Sequence, residues 1–231
     1  RGNFKIESET DIEKAYQYFD GKSLMVEKFV DFKMEVSVIA ARNTKGEITA
    51  YPLVENIHEN NILKMTIAPA RVSDSVINDA NEIAKKTMHV LNGAGVFGIE
   101  MFVDQNNKII INEIAPRVHN SGHHTLQSCN TSQFEQHIRA ILGLELGSTN
   151  LVHKTVMCNI LGQDGYEGKY KPVQLMPKDG VYLKMYGKDI SKPQRKLGHF
   201  NVVSQYETES MDQLLEVVDM VKNSISIEPL D

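Results

Sequence analysis

Three shortages narrow the classes of protein that this sequence can encode. Its two cysteines, Cys129 and Cys158, are too few for a disulfide framework and favour a reducing, cytoplasmic setting. Its 25 lysine and arginine residues are outnumbered by 30 aspartate and glutamate residues, so no basic excess drives non-specific nucleic-acid binding. No apolar run approaches the roughly 20 residues that a membrane span needs. We therefore expect neither nucleic acid nor membrane among the partners.

The sequence also lacks an initial methionine and a signal peptide. It opens on Arg1 in mid-sequence, which indicates either a fragment whose N-terminal part is missing or a trimmed polypeptide. What is present is an ordinary globular composition, with 41% hydrophobic and 24% charged residues. A chain of 231 residues can bury a sizeable core as one large domain or two small ones.

Hydrophobic patterning predicts an α+β fold built from hairpins and mostly antiparallel sheet. The predicted helices cover residues 9–20, 74–92, 132–142 and 211–225. The predicted strands cover residues 24–30, 33–41, 47–54, 95–103, 108–114, 153–161, 180–186 and 198–206. The expected caps are Thr10 and Ser132 at helix starts, paired with Glu13 and Glu135, and Gly93 and Gly143 at helix ends. A change to short strands near residue 147 marks the expected domain boundary.

Two glutamates are predicted to face each other across one hairpin. If residues 106–107 form a two-residue turn, Glu100 lies directly opposite Glu113, with Cβ atoms about 5 Å apart. Like charges so placed repel, and apolar neighbours strengthen the repulsion by lowering the local dielectric. A divalent cation would relieve it, and hard oxygen ligands suit Mg²⁺ shared with nucleotide phosphates. The alternative is an exposed hairpin with the glutamates splayed into water, and a one-residue bulge would change the register.

A polar loop follows the second glutamate. Residues 112–125 read NEIAPRVHNSGHHT, and Pro116 and Gly122 interrupt any helical period. The loop gathers polar side chains within eight residues, namely Arg117, His119, Asn120, Ser121, His123 and His124. Arginine suits bidentate binding of oxyanions. A zinc site made by the three histidines and a surface loop without chemistry are the alternatives.

These motifs resemble those of the ATP-grasp enzymes and, within them, of the 5-(carboxyamino)imidazole ribonucleotide synthases of purine biosynthesis. The resemblance rests on EMF at 100–102 and NEIAPRVHNSGH at 112–123. It extends in family order over VEKFV at 26–30, EVSV at 35–38, YPLVENIH at 51–58, SQFEQHIRAI at 132–141 and RKLGHFN at 195–201. It implies an ATP-grasp domain over 1–147, of which 1–26 closes the lid subdomain, and a small C-terminal α/β domain over 148–231. The family's N-terminal Rossmann-like domain and glycine-rich lid loop are absent from the chain.

The resemblance implies a carbon–nitrogen ligase that uses ATP, Mg²⁺ and bicarbonate. Bicarbonate would be phosphorylated to carboxyphosphate. This intermediate, or the CO₂ it releases, would carboxylate the amine of 5-aminoimidazole ribonucleotide and give N5-carboxyaminoimidazole ribonucleotide, ADP and phosphate. A cytoplasmic homodimer is implied, and residues 1–231 alone are expected to be inactive. The alternatives are another ATP-grasp ligase, such as the formate-dependent ribonucleotide transformylase, and a non-catalytic nucleotide-binding module.

The resemblance also implies roles for individual residues. The expected ATP-binding residues are Glu27, Lys28, Phe29, Val30, Glu35, His58, Asn112 and Glu113, and the expected metal ligands are Glu100 and Glu113. The residues expected to face bicarbonate and the imidazole substrate are Arg117, His119 and Asn120. The substrate phosphate is expected to bind Lys188, Arg195 and Lys196, with Arg71 and His199 as further candidate cations. Ala115 stands where many ATP-grasp enzymes have an asparagine ligand, which leaves a third protein ligand open.

Overall fold

The computed structural model describes residues 3–171, 173–175 and 178–230, and the chain divides into two compact units, Arg1–Asp31 and Phe32–Asp231. The first unit contains helix α1 (Glu9–Tyr18). Its N-cap is Ser8 and not the predicted Thr10, because the Asp11 carboxylate accepts a hydrogen bond from the Ser8 backbone N–H at 3.0 Å. The strand predicted over 24–30 is irregular backbone with exposed apolar side chains, so that prediction was wrong.

The second unit is built on antiparallel strands flanked by helices. The strands are β1 (Phe32–Arg42), β2 (Ile48–Ala50), β3 (Val54–Glu59), β4 (Ile62–Ala68), β5 (Gly95–Asp104), β6 (Ile109–Ala115), β7 (Thr155–Leu161), β8 (Gly168–Lys169), β9 (Val181–Met185), β10 (Ile190–Ser191) and β11 (Lys196–Val203). The helices are α2 (Asp74–Leu91), α3 (Thr125–Ser128), α4 (Gln133–Ile141) and α5 (Met211–Ser224), and Asn120–Gly122 form a 3₁₀ turn. Among the described residues, no helix is long and apolar enough to cross a bilayer.

Nine strands form one sheet in the order β6-β5-β1-β3-β4-β7-β11-β9, with β2 paired to β1. Strands β8 and β10 form a separate pair. All pairings among the described strands are antiparallel, which confirms the predicted α+β class with mostly antiparallel sheet. The β4–β7 pairing places Ile67 opposite Val156 and carries the sheet across residue 147. The domain boundary near that residue stays a prediction.

The two faces of the sheet differ in character, because successive side chains of a strand point to opposite sides. On one face, Val36 and Val38 of β1 pack with Ala84 and Met88 of α2. Further along the same face, β7 and β11 form a second core with α5, whose members include Val156, Phe200, Leu214 and Val218. The opposite face carries polar side chains, among them Glu35, Ser37, Asn56, Thr66 and Glu100. This polar face is where the candidate site lies.

Element ends follow local turn chemistry. Helix α2 is capped by Asn92 and not by the predicted Gly93, and Asn92 takes the left-handed conformation with φ 52° that asparagine tolerates. Gly143, with φ 67°, follows α4 as predicted. Ser132 caps α4 by accepting from the Glu135 N–H at 3.2 Å. The strand predicted over 47–54 is interrupted, and Pro52 lies in the interruption because proline has no N–H to donate to a sheet.

Candidate active site

Strands β5 and β6 place Glu100 directly opposite Glu113, as predicted. The predicted turn, however, was wrong. The loop is one residue longer, because Asp104 N–H donates to the Lys108 carbonyl at 3.0 Å, and Val103 pairs with Ile109. The register shifts again between Glu100 and Met101 and restores the expected pairing of the glutamates. The longer loop and the register shift, each of one residue, therefore cancel in their effect on the pairing of Glu100 with Glu113.

The two carboxylates occupy different environments. The Glu100 side chain is 20% exposed, and burial raises its pKa above the ordinary range. The charges of Glu113 and Glu35 raise it further, whereas His58 and Lys196 oppose the increase. Glu113 is exposed on the edge strand β6, so the predicted low-dielectric surroundings apply to Glu100 alone. A mostly buried carboxylate opposed by a second one is a donor pair that suits Mg²⁺.

Glu35 and His58 lie on the same polar face. The carboxylate of Glu35 contacts His58 Nδ1. Both side chains act electrostatically on Glu100, so the two residues expected to contact the nucleotide lie near this carboxylate. Asn112 is exposed beside Glu113 at the register shift. Its predicted contact with ATP stays a prediction.

Four of the expected ATP-binding residues, at positions 27–30, belong to the first unit. Glu27, Lys28 and Phe29 are exposed and Val30 is partly buried. The ring of Phe29 lies 4.7 Å from Lys5 Nζ, a cation–π contact within that unit. The ATP-binding role of these four residues stays a prediction.

His119 is held against Glu100 by its surroundings. Its Nε2 lies 3.3 Å from Glu100 Oε1. Burial lowers the pKa of His119 to about 4, helped by the positive charges of Arg117 and Lys196, so the imidazole is neutral at pH 7. The backbone of His119 is clamped by Gln133, whose Oε1 accepts from its N–H at 2.9 Å and whose Nε2 donates to its carbonyl at 2.7 Å. The loop backbone is therefore fixed where it meets β5.

Gly98 provides the space for His119, and we expect Gly98→Ala to displace it. A Cβ at position 98 would lie 2.5 Å from His119 Cβ, closer than two carbons can approach. The crowding should lower the free energy of unfolding by about 1–3 kcal/mol. Urea denaturation of both proteins measures this difference. Unchanged stability together with an unchanged His119 NMR signal would contradict the assigned packing.

Two neighbouring loop residues, Arg117 and Asn120, carry hydrogen-bond donors. Arg117 is exposed, and its Nη1 donates to the Val118 carbonyl at 3.1 Å. Within the residues that the structure describes, the buried Asn120 Nδ2 has no hydrogen-bond partner. Buried donors are almost always satisfied, so an acceptor from water or a ligand is expected there. Asn120 and Arg117 thus offer donors to an anion.

The three cations expected to bind the substrate phosphate have different surroundings in the structure. Lys196 lies close enough to act electrostatically on Glu100 and His119. Lys188 Nζ lies 5.9 Å from the ring centroid of Tyr186. Arg195 instead donates to the Ile190 carbonyl at 2.9 Å. The shared phosphate-binding role of the three cations stays a prediction.

Of the two further candidate cations, His199 was wrong, and the anion contact expected of Arg71 stays a prediction. His199 is buried, burial lowers its pKa to about 4, and Tyr186 Oη lies 2.9 Å from its Nδ1, so it is neutral at pH 7. Arg71 makes two hydrogen bonds to Glu55, of 2.8 and 2.6 Å, and Glu55 lies opposite Val36 on the other face of the sheet. Its guanidinium is occupied away from the site.

The three loop histidines have separate partners, which gives the zinc alternative no support. His119 faces Glu100, and His123 stacks on His199 with ring centroids 4.7 Å apart. His124 is fully buried with its Nδ1 2.8 Å from Ser128 Oγ. Burial lowers the pKa of both His123 and His124 to about 3.

These buried neutral histidines predict loss of stability in acid. In the unfolded protein each histidine is protonated as the pH falls below about 6.5. In the folded protein His124 stays neutral until the pH approaches its lowered pKa of about 3. The free energy of unfolding should therefore fall by about 1.4 kcal/mol per pH unit for each such histidine below pH 6.5. Urea titrations between pH 7.5 and 5 measure the slope. In His124→Gln the slope should be smaller by about 1.4 kcal/mol per pH unit, the contribution of one histidine. An unchanged slope would contradict the prediction.

Several residues of the site were missed by sequence reasoning. Ser37, Asn56 and Thr66 are buried polar residues beneath the loop, and Gln133 is the backbone clamp. The available signal was strand pairing, since Ser37 lies directly opposite Glu100. Buried polar side chains on the face of a predicted metal pair are candidates for its supporting shell.

Comparison with known proteins agrees with this geometry. Residues 1–134 match the model of the ATP-grasp domain, and residues 155–213 match that of the phosphoribosylaminoimidazole carboxylase C-terminal domain. The chain therefore belongs to the ATP-grasp family. The narrower resemblance to the 5-(carboxyamino)imidazole ribonucleotide synthases is confirmed by relatives of that name at about 40% identity.

Two curated relatives illustrate the match. The chain is 42% identical to the N5-carboxyaminoimidazole ribonucleotide synthase of Bacillus subtilis over 219 residues, which are 93% of this chain and 56% of that protein. It is 41% identical to the phosphoribosylaminoimidazole carboxylase of Ogataea methanolica over 236 residues, 99% of this chain and 43% of that protein. The chain thus spans about half the length of the curated relatives it matches.

Solved structures match as well. The N5-carboxyaminoimidazole ribonucleotide synthetase of Thermotoga maritima superposes with a TM-score of 0.83 at 40% identity, over 98% of this chain and 60% of that one. The N5-carboxyaminoimidazole synthase of Aspergillus clavatus, in complex with ADP and 5-aminoimidazole ribonucleotide, superposes with a TM-score of 0.84 at 35% identity. The match covers 96% of this chain and 60% of that one.

Proposed function

We propose that this chain forms part of a ligase that uses ATP and bicarbonate to carboxylate the amine of 5-aminoimidazole ribonucleotide, giving N5-carboxyaminoimidazole ribonucleotide, ADP and phosphate. The observation that carries the proposal is the pairing of Glu100 with Glu113 beside the loop of Arg117 and His119. The relatives named for this activity, and the Aspergillus clavatus complex with the ribonucleotide, support it. A cytoplasmic location and a homodimer are part of the proposal.

The glutamate pair is proposed to hold Mg²⁺. Burial and the neighbouring carboxylates disfavour the charged form of Glu100, so a bound cation would relieve a cost that the fold otherwise carries. When bound, Mg²⁺ neutralises charge on the phosphate oxygens of ATP. Ala115 is a buried residue without ligand atoms in its side chain, so the two glutamates are the protein ligands proposed.

The surrounding residues are proposed to bind the remaining anions. Arg117 and the Nδ2 group of Asn120, which has no partner among the described residues, would hold bicarbonate and the carboxyphosphate formed from it. Lys188, Arg195 and Lys196 would hold the phosphate of the ribonucleotide. Glu35 and His58, on the same polar face as the metal pair, are proposed to contact the nucleotide.

The test is the substrate dependence of ATP cleavage in the intact protein, including any residues that flank this chain. Phosphate release should require both 5-aminoimidazole ribonucleotide and bicarbonate, because bicarbonate is the proposed acceptor of the γ-phosphoryl group. Formate in place of bicarbonate serves as the control. Release that depends on formate, or that needs neither carbon donor, would overturn the proposal.

A further inference from the structure

A row of buried hydrogen bonds leads across the polar face to His119. Thr66 Oγ1 donates to Asn56 Oδ1 at 3.0 Å, and Asn56 Nδ2 donates to Ser37 Oγ at 2.9 Å. Ser37 Oγ donates to Ser121 Oγ at 2.8 Å, and Ser121 Oγ lies 2.9 Å from His119 Nδ1. We call Thr66, Asn56, Ser37 and Ser121 the hydroxyl–amide chain. None of its four members is more than 5% exposed, so water does not compete for these bonds.

The amide of Asn56 sets the direction of hydrogen-bond donation along the hydroxyl–amide chain. Its oxygen accepts the proton of Thr66, so its nitrogen is the group that donates to Ser37. Ser37 therefore accepts from Asn56 and donates its single proton to Ser121, and the proton of Ser121 is left to donate to His119 Nδ1, 2.9 Å away. The Ser121 backbone N–H, which can only donate, also faces Nδ1 at 3.4 Å. His119 Nδ1 is therefore an acceptor.

The opposite side of the imidazole agrees with this direction. Because an accepting Nδ1 has no proton, the ring proton is on Nε2, which lies 3.3 Å from Glu100 Oε1. The other tautomer would set the lone pair of Nε2 against a carboxylate oxygen and would leave the Ser121 backbone N–H facing an N–H at Nδ1. Both ends of the ring thus favour one tautomer.

We propose that the hydroxyl–amide chain positions His119 as its Nε2–H tautomer, so that His119 donates a hydrogen bond to Glu100 and fixes the orientation of this carboxylate. His119 then acts through Glu100 as a positioning residue. One carboxylate oxygen is held by the imidazole and the other is left for a ligand. Groups that orient metal ligands in this way typically change affinity or activity by about 10–100-fold when removed. The importance of Glu100 for catalysis rests on the proposed function, whereas the tautomer does not.

The tautomer is directly measurable by NMR. In the intact protein labelled with ¹⁵N-histidine, at pH 7.5 and without nucleotide or Mg²⁺, long-range ¹H–¹⁵N correlation distinguishes protonated from unprotonated ring nitrogens. The signals of His119 are identified by their loss in His119→Asn. We expect an unprotonated Nδ1 and a protonated Nε2. The reverse pattern would overturn the proposal.

Two variants test whether the hydroxyl–amide chain sets the tautomer. Ser37→Ala removes the donor to Ser121. Asn56→Asp replaces the donor to Ser37 by a carboxylate that accepts, which reverses the direction of the hydroxyl–amide chain. Either change should lower the Nε2–H fraction of His119. Asn159→Asp is the matched control, because Asn159 bonds to the Leu63 carbonyl and not to the chain. If Asn56→Asp does not fold, Ser37→Ala and the near-isosteric Thr66→Val carry the test, and wild-type His119 signals in the folded variants would contradict the proposal.

A kinetic comparison tests the bond to Glu100. The amide nitrogen of glutamine reaches the position of Nε2 and can donate to Glu100, whereas that of asparagine reaches only the position of Nδ1. We expect His119→Gln to retain kcat within about 10-fold and His119→Asn to lose about 100-fold, with the KM for ATP little changed. Equal losses would contradict the proposal. Absence of bicarbonate-dependent turnover in the wild-type protein would instead overturn the proposed function and leave the NMR result standing.

Discussion

Replacing Glu113 by glutamine is expected to abolish Mg²⁺-dependent ATP cleavage while the protein stays folded. Glutamine has nearly the same shape, so the β5–β6 pairing with Glu100 is retained. It removes one of the two negative charges that are proposed to hold the cation. Loss of about 4 kcal/mol of transition-state stabilisation corresponds to about 10³-fold in rate. The measurement is phosphate release by the intact protein as a function of Mg²⁺ concentration.

Stability is the control that separates this effect from misfolding. Because like charges facing each other repel, Glu113→Gln should leave the unfolding midpoint unchanged or raise it. Glu135→Gln provides a matched change at an exposed glutamate whose partner is Arg139, at 2.8 Å, and it should leave turnover unchanged. Full activity of the Glu113→Gln protein would remove this residue from the metal site.

The glutamate pair could be found from sequence because cross-strand pairing is a local property of a hairpin. Only a turn and two strands are needed to bring Glu100 to Glu113. The details were less accessible, since the length of the turn and the compensating register shift depend on hydrogen bonds such as that between Asp104 and Lys108. Pairing was predicted correctly, whereas the path of the backbone that produces it was not.

The supporting residues could not be found this way, because they meet across the sheet. Ser37 contacts Ser121, 84 residues later, and Asn201 bonds to Gln127 of α3. Such contacts depend on strand order, which periodicity does not specify. The irregular segment 24–30 shows the converse. Its apolar, β-branched composition is typical of a strand, but a strand also needs a neighbouring strand to pair with.

Replacing Arg195 by alanine is expected to raise the KM for 5-aminoimidazole ribonucleotide about 100-fold and to leave the KM for ATP within about 2-fold. Hydrogen bonds to charged groups contribute about 1.5–3 kcal/mol each, which is about 10- to 100-fold in binding. The effect is specific to the ribonucleotide because Arg195 is proposed to bind its phosphate. Steady-state kinetics with each substrate varied in turn measures both constants.

Arg195 also donates to the Ile190 carbonyl, so a local structural effect must be separated from lost phosphate binding. Lys188→Ala makes this distinction, because Lys188 Nζ lies over the ring of Tyr186, 5.9 Å from its centroid, whereas Arg195 bonds to a backbone carbonyl. If both cations bind the phosphate, both variants raise the same KM. Lys192→Ala is the control within the same segment, since Lys192 pairs with Glu167 and should leave both constants unchanged. An equal rise in the KM for both substrates in Arg195→Ala, with no effect of Lys188→Ala, would assign Arg195 a structural role and remove it from the phosphate site.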